Sequence, residues 1–389
     1  MGITLVVNTG SSSKKYALYR GGREVLYMTV TRETNEVRCS VRKNGTWLGD
    51  EVINDKEYIA SIKRLLAAAH KYGCLDEANP ITGVVVRVVA PGSQFNSHQR
   101  IDDAYLESLR AAVPAAPLHV PAAVTEIETL QTVLPDVPLM AASDSAFHAS
   151  KPVMAARYSI ARSDTEDLDV RRFGYHGLSV QSVVRRIHAV TGKNPGRIIV
   201  AHIGSGVSIT AIKDGKSIDT TMGFAPGSGL VMASRAGDLD AGALLELMRR
   251  KSMGINDAYT YLHTRGGLQG MAGEADFRHV LERHAKGEED AVQALQIFSY
   301  QVKKQLGAMM AILGGVDCLV LTATAAERSP VLRAMCVQGL ESLGLELDSD
   351  KNEEHVSREG VISISNAPTK IVVMKTDEMG EMQRIATES

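Results

Sequence analysis

The chain has 389 residues, which exceeds one ordinary hydrophobic core and favours two domains. Apolar residues make up 44% and charged residues 23%, as in soluble globular proteins, and a net charge of −2 argues against a nucleic-acid partner. The four cysteines lack CxxC spacing, which indicates reduced thiols in a cytoplasmic protein. The sequence shows neither a signal peptide nor an apolar run of membrane-spanning length, so no membrane partner is expected.

Strands and helices alternate along the chain. Short apolar or alternating runs predict strands at residues 3–8, 16–19, 24–29, 84–89, 139–142, 318–321 and 371–374. Apolar residues at helical spacing predict helices at residues 56–72, 103–113, 122–133 and 291–313, and after residue 378. This order favours an α/β architecture.

A stretch in the second half repeats the layout of the N-terminus. "RIIVAHIGSGVSITAIKDGKSIDT" and "TLVVNTGSSSKKYALYRGGREVLY" both run strand, Gly/Ser turn, alternating strand, second turn and third strand. Gly204-Ser205 falls on Gly10-Ser11. The repeat indicates two domains descended from one unit and facing each other, although two Gly/Ser hairpins could also arise by chance in an α/β protein.

The two Gly/Ser turns are candidates for phosphate binding. Glycine allows a tight turn with unpaired backbone N–H groups, serine hydroxyls add donors, and a nearby lysine adds a point charge. The Walker sequence is absent, and no helix follows the glycines, so "NTGSSSKKY" taken alone could equally be a polar surface hairpin.

Other polar residues are placed where catalytic groups often occur. Arg87 lies inside an apolar run, Asp144 lies just after a predicted strand, and His176 sits between aromatic residues and a glycine. A structural ion pair, a helix N-cap and a buried core histidine are the respective alternatives. The glycine-dense segment at 219–242 carries Arg235, and an irregular stretch of this length usually lines a site. Charged groups on loops at strand ends fit phosphoryl transfer.

Taken in order, the blocks "NTGSSSKKY", "RVV", "DSAFH", "RRFGYHG", "HIGSG", "DTTMGF", "SRAGDLD" and "TDEM" resemble the acetate kinases. These form the acetokinase branch of the sugar kinase/Hsp70/actin superfamily, and the similarity runs nearly end to end. It implies an α/β, duplicated ribonuclease H-like (actin/Hsp70/sugar kinase) two-domain fold with a cleft between the domains. We expect an N-terminal domain at 1–148, with the C-terminal helix 380–389 packing on it, and a C-terminal domain with the nucleotide-binding region at 149–379.

The resemblance also implies an activity and its reactants. The expected enzyme is a phosphotransferase with a carboxyl group as acceptor. It would carry out reversible phosphoryl transfer between ATP and acetate, giving acetyl phosphate and ADP, with Mg2+ or Mn2+ as cofactor. The small carboxylate and the nucleotide are the expected partners, and a homodimer is the expected assembly.

The family's site residues carry over to this chain position by position. The resemblance places the metal at Asn8 and Glu378, and the first phosphate hairpin at Ser11, Ser13 and Lys15. It assigns catalysis to Arg87, Asp144, His176 and Arg235. Arg87 and Arg235 would hold the carboxylate and the transferring phosphoryl group, Asp144 would orient acetate or the magnesium shell, and His176 would stabilise the transition state.

The remaining carried-over residues line the acyl pocket and the donor site. The resemblance places the acyl methyl group against Val89, Leu118, Tyr175 and Pro226. It places the donor phosphates and nucleoside near His202, Gly204, Ser205, Gly206, Asp276, Phe277, Arg278, Thr324, Ala325 and Ala326.

The chain departs from the family pattern at several of these positions. The family's "HRVVHGG" is "VRVVAPG", its "HLGNG" is "HIGSG", and Tyr175 stands where phenylalanine is usual. The family's glycine-rich Thr-Gly-Gly-Ile-Gly-Glu-Asn is "TATAAER", in which Thr324, Ala325 and Ala326 bring Cβ atoms towards the adenine space. A propionate-preferring enzyme, a pyrophosphate-using enzyme and a catalytically weak ligand-binding paralogue are therefore alternatives.

Overall fold

Residues 2–10, 13–32 and 36–388 are described by the computed structural model, and they divide into two compact units. The first unit comprises Met1–Ala146 together with Asp377–Ser389, and the second comprises Phe147–Thr376. No helix in the described ranges combines the length and apolar character needed to cross a bilayer.

The strands and helices are numbered in chain order. The strands are β1 Ile3–Thr9, β2 Ser13–Arg20, β3 Arg23–Arg32, β4 Val37–Lys43, β5 Thr46–Ile53, β6 Ile81–Val88, β7 Gln99–Arg100, β8 Leu139–Ser143, β9 Arg197–Ile203, β10 Val207–Lys213, β11 Lys216–Thr220, β12 Cys318–Thr322, β13 Gly360–Val361 and β14 Lys370–Met374. The helices are α1 Asp55–Ile59, α2 Ser61–Lys71, α3 Asp103–Ala111, α4 Val120–Val133, α5 Val153–Ala156, α6 Arg162–Asp167, α7 Gly177–Thr191, α8 Ala241–Lys251, α9 Ile255–Thr264, α10 Gly267–Ala272, α11 Phe277–Ala285, α12 Glu289–Leu313, α13 Thr324–Arg328, α14 Pro330–Val337, α15 Ser349–Glu354 and α16 Glu378–Glu388.

The two units share one sheet plan. In the first unit the sheet order is β5-β4-β3-β2-β1-β6-β8-β7, and in the second it is β11-β10-β9-β12-β14-β13. Both sheets contain the antiparallel unit β3-β2-β1 or β11-β10-β9, followed by two parallel strands, β6 and β8 or β12 and β14. In the first sheet β4 and β5 extend the antiparallel part to five strands. The matching order and direction confirm the predicted duplication and the ribonuclease H-like fold class.

Helices cover the sheets and bury the apolar strand residues. In the first unit, the core joins the apolar residues of β1, β2, β3 and β6 to the buried faces of α2, α3 and α4. In the second unit, the buried residues of β9, β12 and β14 pack with α7. The helix α16 returns from the far end of the chain and packs on β1 and β6.

Several predicted elements differ from the structure. The helix predicted at 56–72 is wrong as a single helix, because α1 ends before Ala60 and α2 begins at Ser61, whose buried hydroxyl bonds to Tyr16. The strands β4 and β5 were not predicted, since every residue of β5 except Ile53 is exposed and its pattern shows no apolar alternation. The predicted strands at 318–321 and 371–374 and the terminal helix are confirmed.

A buried polar network fastens the strand β2 to α2 and α4. Lys14 Nζ donates to Glu126 Oε2 at 2.8 Å, and Tyr16 Oη donates to Glu126 Oε1 at 2.7 Å. Only 1% of the Glu126 side chain is exposed. Because burying a carboxylate is costly unless it is paired, the Lys14 ammonium offsets the cost of burying Glu126.

We predict that Lys14→Met lowers the free energy of unfolding by about 3–5 kcal/mol, because the Glu126 carboxylate then lies buried without its cation. The double variant Lys14→Met/Glu126→Gln should lose less than Lys14→Met alone, since the glutamine still accepts from Tyr16 and carries no charge. Urea unfolding at neutral pH measures both effects, with Lys63→Met on the exposed side of α2 as a control. A double variant at least as unstable as Lys14→Met would contradict this account.

Candidate active site

Three polar side chains meet where parallel strands of the first unit end. Asn8 lies near the end of β1, Arg87 near the end of β6, and Asp144 directly after β8. The register pairs Val7 with Val86 and Arg87 with Ala142, so the three side chains project from the same edge of the sheet. The carboxyl ends of parallel strands are where ligands bind in open α/β sheets.

Arg87 and Asp144 form a bidentate ion pair. Arg87 Nε donates to Asp144 Oδ1 at 3.2 Å and Arg87 Nη2 donates to Asp144 Oδ2 at 2.9 Å. The Asp144 side chain is fully buried, whereas 16% of the Arg87 side chain is exposed. Burial disfavours the charged guanidinium, but the carboxylates of Asp144 and Glu378 outweigh it, so the pKa of Arg87 lies above its ordinary value. Arg87 therefore presents a fixed positive charge at the sheet edge.

Glu378 joins this cluster through Asn8. Arg87 Nη1 donates to Asn8 Oδ1 at 3.3 Å, and Asn8 Nδ2 donates to Glu378 Oε2 at 2.9 Å. Glu378 is the first residue of α16, so the far end of the chain supplies the second carboxylate.

The oxygen atoms of this cluster suit Mg2+ chemically. Mg2+ prefers carboxylate and carbonyl oxygens, keeps several waters and is usually held by one or two carboxylates together with substrate phosphates. Glu378 and the Asn8 amide provide a carboxylate and a carbonyl oxygen, and the Asp144 carboxylate lies in the same hydrogen-bonded cluster, where it binds Arg87. Among the described residues, no group of three or more His, Cys, Asp or Glu side chains could form an all-protein metal cage. The donor set therefore fits a metal that is shared with substrate.

The first Gly/Ser hairpin lies beside the cluster. Asn8 pairs with Lys15 across β1 and β2, and Gly10 N donates to Ser13 O at 2.7 Å to close the turn. Ser11 lies outside the described residues. Alternation along β2 directs Lys14 and Lys15 to opposite faces, and Lys14 is bound to Glu126. Lys15 is thus the hairpin lysine on the other face of the strand.

Of the predicted acyl-pocket residues in this unit, Val89 directly follows β6 and Leu118 precedes α4, and both are half-buried.

The second unit places two histidines against its own Gly/Ser hairpin. The rings of His176 and His202 stack with centroids 4.0 Å apart. His176 Nδ1 lies 2.9 Å from Ser208 Oγ, and His202 Nδ1 lies 2.8 Å from Ser179 Oγ. His176 has a left-handed backbone with φ 61° where it caps α7. A non-glycine residue in this conformation at a helix start is uncommon, and such residues cluster at functional sites.

The glycines of the β9–β10 hairpin lack side chains, and this lets His176 and Arg235 lie close to the hairpin backbone. A Cβ on Gly206 would lie 2.9 Å from His176 Nε2 and 3.6 Å from Arg235 Nη1. A side chain at this position would displace His176, so the glycine is required for the close approach. Gly204 N donates to Gly206 O at 3.0 Å, and Ser205 at the tip is exposed.

Arg235 lies on the long irregular segment between β11 and α8. Its Nη1 donates to Pro226 O at 2.8 Å, which places it near a residue of the predicted acyl pocket. The Tyr175 hydroxyl donates to the main-chain oxygen of Phe224, and Tyr175 is fully buried. The hydroxyl that distinguishes this chain from the family pattern therefore bonds to the backbone of the same segment.

The other predicted nucleotide residues have structural roles of their own. Asp276 caps α11 and pairs with Arg278, while Phe277 is buried with its ring edge-on to Phe298. The segment predicted as a nucleotide loop is the short helix α13, on which Thr324 is exposed, Ala325 is half-buried and Ala326 is fully buried. Ala326 thus faces the core of the unit.

Sequence reasoning missed the serines that orient the two histidines. Ser179 lies in the first turn of α7, and Ser208 lies on β10, 32 residues from His176. The only local sign in the sequence is that each serine has apolar neighbours. Both serines are buried, and a buried hydroxyl needs a hydrogen-bond partner.

His263 and Tyr259 lie close to the Arg235 segment. Their rings stack at 4.0 Å, and a Cβ on Gly227 would lie 2.4 Å from His263 Nε2. Burial lowers the pKa of His263, and the positive charge of Arg235 lowers it further. In the first unit, burial likewise lowers the pKa of His98, whose Nδ1 accepts from Ser143 N at 3.1 Å.

Comparisons with known proteins extend over the whole chain. The Acetokinase family model matches residues 3–384. The acetate kinase of Acetivibrio thermocellus is 35% identical over 388 residues, which cover 98% of this chain and 97% of that protein. The crystal structure of Porphyromonas gingivalis acetate kinase matches with a TM-score of 0.87 and 30% identity over 100% of this chain and 99% of that one. A propionate kinase from Francisella tularensis matches with a TM-score of 0.90 and 30% identity over 98% of each chain.

We predict that the free energy of unfolding falls as the pH is lowered from about pH 7 to pH 5. Folding lowers the pKa of His98 and His263, so the unfolded state binds more protons than the folded state as the pH falls through the ordinary histidine pKa of about 6.5, and stability is lost on acidification. Each histidine can add a slope of at most about 1.4 kcal/mol per pH unit.

Urea unfolding at several pH values measures how much His98 and His263 contribute to this pH dependence. In the His98→Gln/His263→Gln variant, the free energy of unfolding should fall less steeply with decreasing pH than in the original chain. His70→Gln, on the exposed face of α2, is the control and should leave the slope unchanged. Equal slopes in the original chain and the double variant would refute the assignment.

Proposed function

We propose that this chain, which belongs to the acetokinase family, catalyses reversible, Mg2+-dependent phosphoryl transfer between ATP and acetate, giving acetyl phosphate and ADP. The observation that carries the proposal is the cluster of Arg87, Asp144, Asn8 and Glu378 at the ends of parallel strands. The full-length similarity to proteins named acetate kinase supports the same reaction.

Arg87 would bind the reacting carboxylate or phosphoryl oxygens. Of its five N–H groups, one on Nε, one on Nη2 and one on Nη1 are used by Asp144 and Asn8. One N–H on each terminal nitrogen remains, which is the bidentate geometry that suits a carboxylate or phosphate. Asp144 would hold this fork in place, and so would act on the substrate through the orientation of Arg87.

His176 and Arg235 would stabilise the charge of the transferring group. Phosphoryl transfer needs charge neutralisation on the equatorial oxygens more than a protein nucleophile. A carboxylate oxygen of acetate would form the new bond to the γ-phosphorus, while the bond to the β–γ bridging oxygen breaks and its electron pair leaves with ADP. The hairpin residues Gly204, Ser205 and Gly206 would offer backbone and hydroxyl donors to the donor phosphates.

Asn8 and Glu378 would hold Mg2+, which when bound supplies positive charge to the donor phosphates, and Asp144 would orient its shell from beneath. Lys15 and Ser13 would add cationic and hydroxyl contacts to phosphate on the first hairpin. The nucleoside of ATP would lie near α11 and α13, on the predicted residues Asp276, Phe277, Arg278, Thr324 and Ala325.

Propionate is the second candidate acceptor. The Francisella tularensis match is named a propionate kinase, and its TM-score of 0.90 is similar to that of the acetate kinase match. One methylene group in an apolar pocket changes binding by only about 1–3 kcal/mol, so the two acceptors are discriminated weakly.

We also propose that the chain forms a homodimer through an exposed apolar face on α8 and α9. The helix α8 buries none of its residues within its own chain, and Leu245 on α8 and Ile255 on α9 are 66% and 82% exposed. Short helices are marginal unless an apolar face packs on something, and exposed apolar faces mark interaction sites. A second copy is the occupant that the resemblance to homodimeric kinases favours.

We predict that Arg235→Ala lowers kcat/KM by about 10²- to 10³-fold or more, because charge on the transferring group is no longer neutralised. A hydroxamate assay with acetate, propionate and butyrate, each with ATP, GTP or pyrophosphate, measures acyl phosphate formation. Arg162→Ala is the matched control, since 80% of that side chain is exposed on α6. Thermal melting should show Arg235→Ala to be folded. Undiminished rates in Arg235→Ala, or no acyl phosphate from the original chain with any donor, would refute the proposal.

We predict that Leu245→Glu/Ile255→Glu converts the dimer to a monomer, because two charges would be buried in the interface. Light scattering after size-exclusion chromatography should give twice the chain mass for the original protein. Met154→Glu is the control, as this residue on α5 is 87% exposed and lies outside the proposed face. A double variant that keeps twice the chain mass would place the interface elsewhere.

A further inference from the structure

Two tyrosine hydroxyls hold the backbone of one residue from both sides. Phe224 N donates to Tyr158 Oη at 2.9 Å, and the Tyr175 hydroxyl donates to Phe224 O. Tyr158 lies between α5 and α6, whereas Tyr175 lies just before α7 and is fully buried. A Cβ on Gly223 would overlap the Tyr158 hydroxyl, so a glycine is needed at that position. Both backbone hydrogen-bonding groups of Phe224 are therefore bound by side chains and not by a helix or strand.

The turn that begins at Phe224 carries the main-chain oxygen that binds Arg235. Arg235 Nη1 donates to Pro226 O at 2.8 Å. Ser228 closes the turn, because Gly223 N donates to its Oγ at 2.7 Å. The position of Pro226 O thus depends on a short closed turn, and the two tyrosines hold the start of that turn.

The segment at 173–175, directly before His176, is joined to the same turn. Phe173 N and Gly174 N donate to Gly223 O at 3.0 and 3.2 Å. Because these backbone bonds hold the segment against the turn, the hydroxyl of the next residue can reach the turn as well. The imidazole and the guanidinium that are proposed to neutralise the transferring group are thus held by one common turn.

We infer that Tyr158 and Tyr175 are positioning residues for Arg235, because their hydroxyls fix the turn that orients its guanidinium. The inference rests on the proposed function. Neither hydroxyl needs to contact substrate, since each acts through the backbone of Phe224 and Pro226 O. Charge neutralisation in phosphoryl transfer relies on donors that are already in place, and a donor that must first be ordered loses part of its effect.

The test removes each hydroxyl separately, in Tyr158→Phe and Tyr175→Phe. The kcat for acyl phosphate formation from acetate and ATP should fall by about threefold to tenfold in each variant, because the lost restraint matters chiefly in the transition state. The KM of each substrate should change by less than about twofold. The double variant should lose about as much as the worse single variant, since both hydroxyls hold one residue. Hydroxamate formation measures these rates.

The loss of activity should depend on Arg235. In the Arg235→Ala background, Tyr175→Phe should no longer lower kcat, because the group that it positions is absent. Tyr105→Phe is the matched control, since Tyr105 on α3 is also buried but its hydroxyl has no hydrogen-bond partner among the described residues. The control should keep the kcat of the original chain.

Amide hydrogen exchange, read by mass spectrometry, tests the restraint without turnover. Peptides that cover 221–235 should exchange at least about threefold faster in Tyr158→Phe and Tyr175→Phe, whereas peptides from α2 should not change. Unchanged exchange at 221–235 would overturn the inference. An unchanged kcat in both single variants, or an equally large loss in the Arg235→Ala background, would overturn it too. If the original chain forms no acyl phosphate with any donor, the proposed function fails, and the exchange rates alone then decide whether the two tyrosines restrain the Arg235 segment.

Discussion

The buried ion pair between Arg87 and Asp144 is the interaction on which the candidate site of the first unit depends. A fully buried carboxylate is stable only with its cation, and Asp144 binds two nitrogens of Arg87 in one plane. The guanidinium in turn orients the Asn8 amide, and the amide binds Glu378. One line of hydrogen bonds thus joins the ends of β8, β6 and β1 to the start of α16. A change in the Arg87 rotamer would break its bonds to Asp144 and remove the donor that orients the Asn8 amide.

The duplicated fold uses one backbone plan for two kinds of chemistry. Asn8 and His202 occupy equivalent positions, each two residues before the first glycine of its hairpin. In the first unit this position carries an amide within a carboxylate cluster, which suits a metal. In the second unit it carries an imidazole stacked on His176, which suits anionic oxygens. The shared topology explains where the groups lie, whereas the residue types decide what they bind.

Patterns of neighbouring residues in the sequence predicted those strands, turns and helices that form from neighbouring residues. The two hairpins, the long helix α12 and the buried parallel strands all follow from apolar periodicity and turn residues. The resemblance supplied the site residues, and the structure brings some of them together, Asn8, Arg87, Asp144 and Glu378 in the first unit and His176, His202, Gly206 and Arg235 in the second. The pairing of Ser208 with His176 depends on a contact between distant parts of the chain. The bonds of Tyr158 and Tyr175 to Phe224 likewise span 66 and 49 residues, and no local sequence pattern encodes contacts of this kind.

The first unit is discontinuous along the chain, and this affects the order in which it can be completed during synthesis. Glu378 and α16 leave the ribosome only after the whole second unit, at about 5–20 residues per second. Until then the face of β1 and β6 that α16 covers stays open to solvent, and Asn8 lacks its carboxylate partner. The nascent chain therefore holds a complete second unit beside an unfinished first one. The proposed metal site is completed in a single late step, when α16 docks.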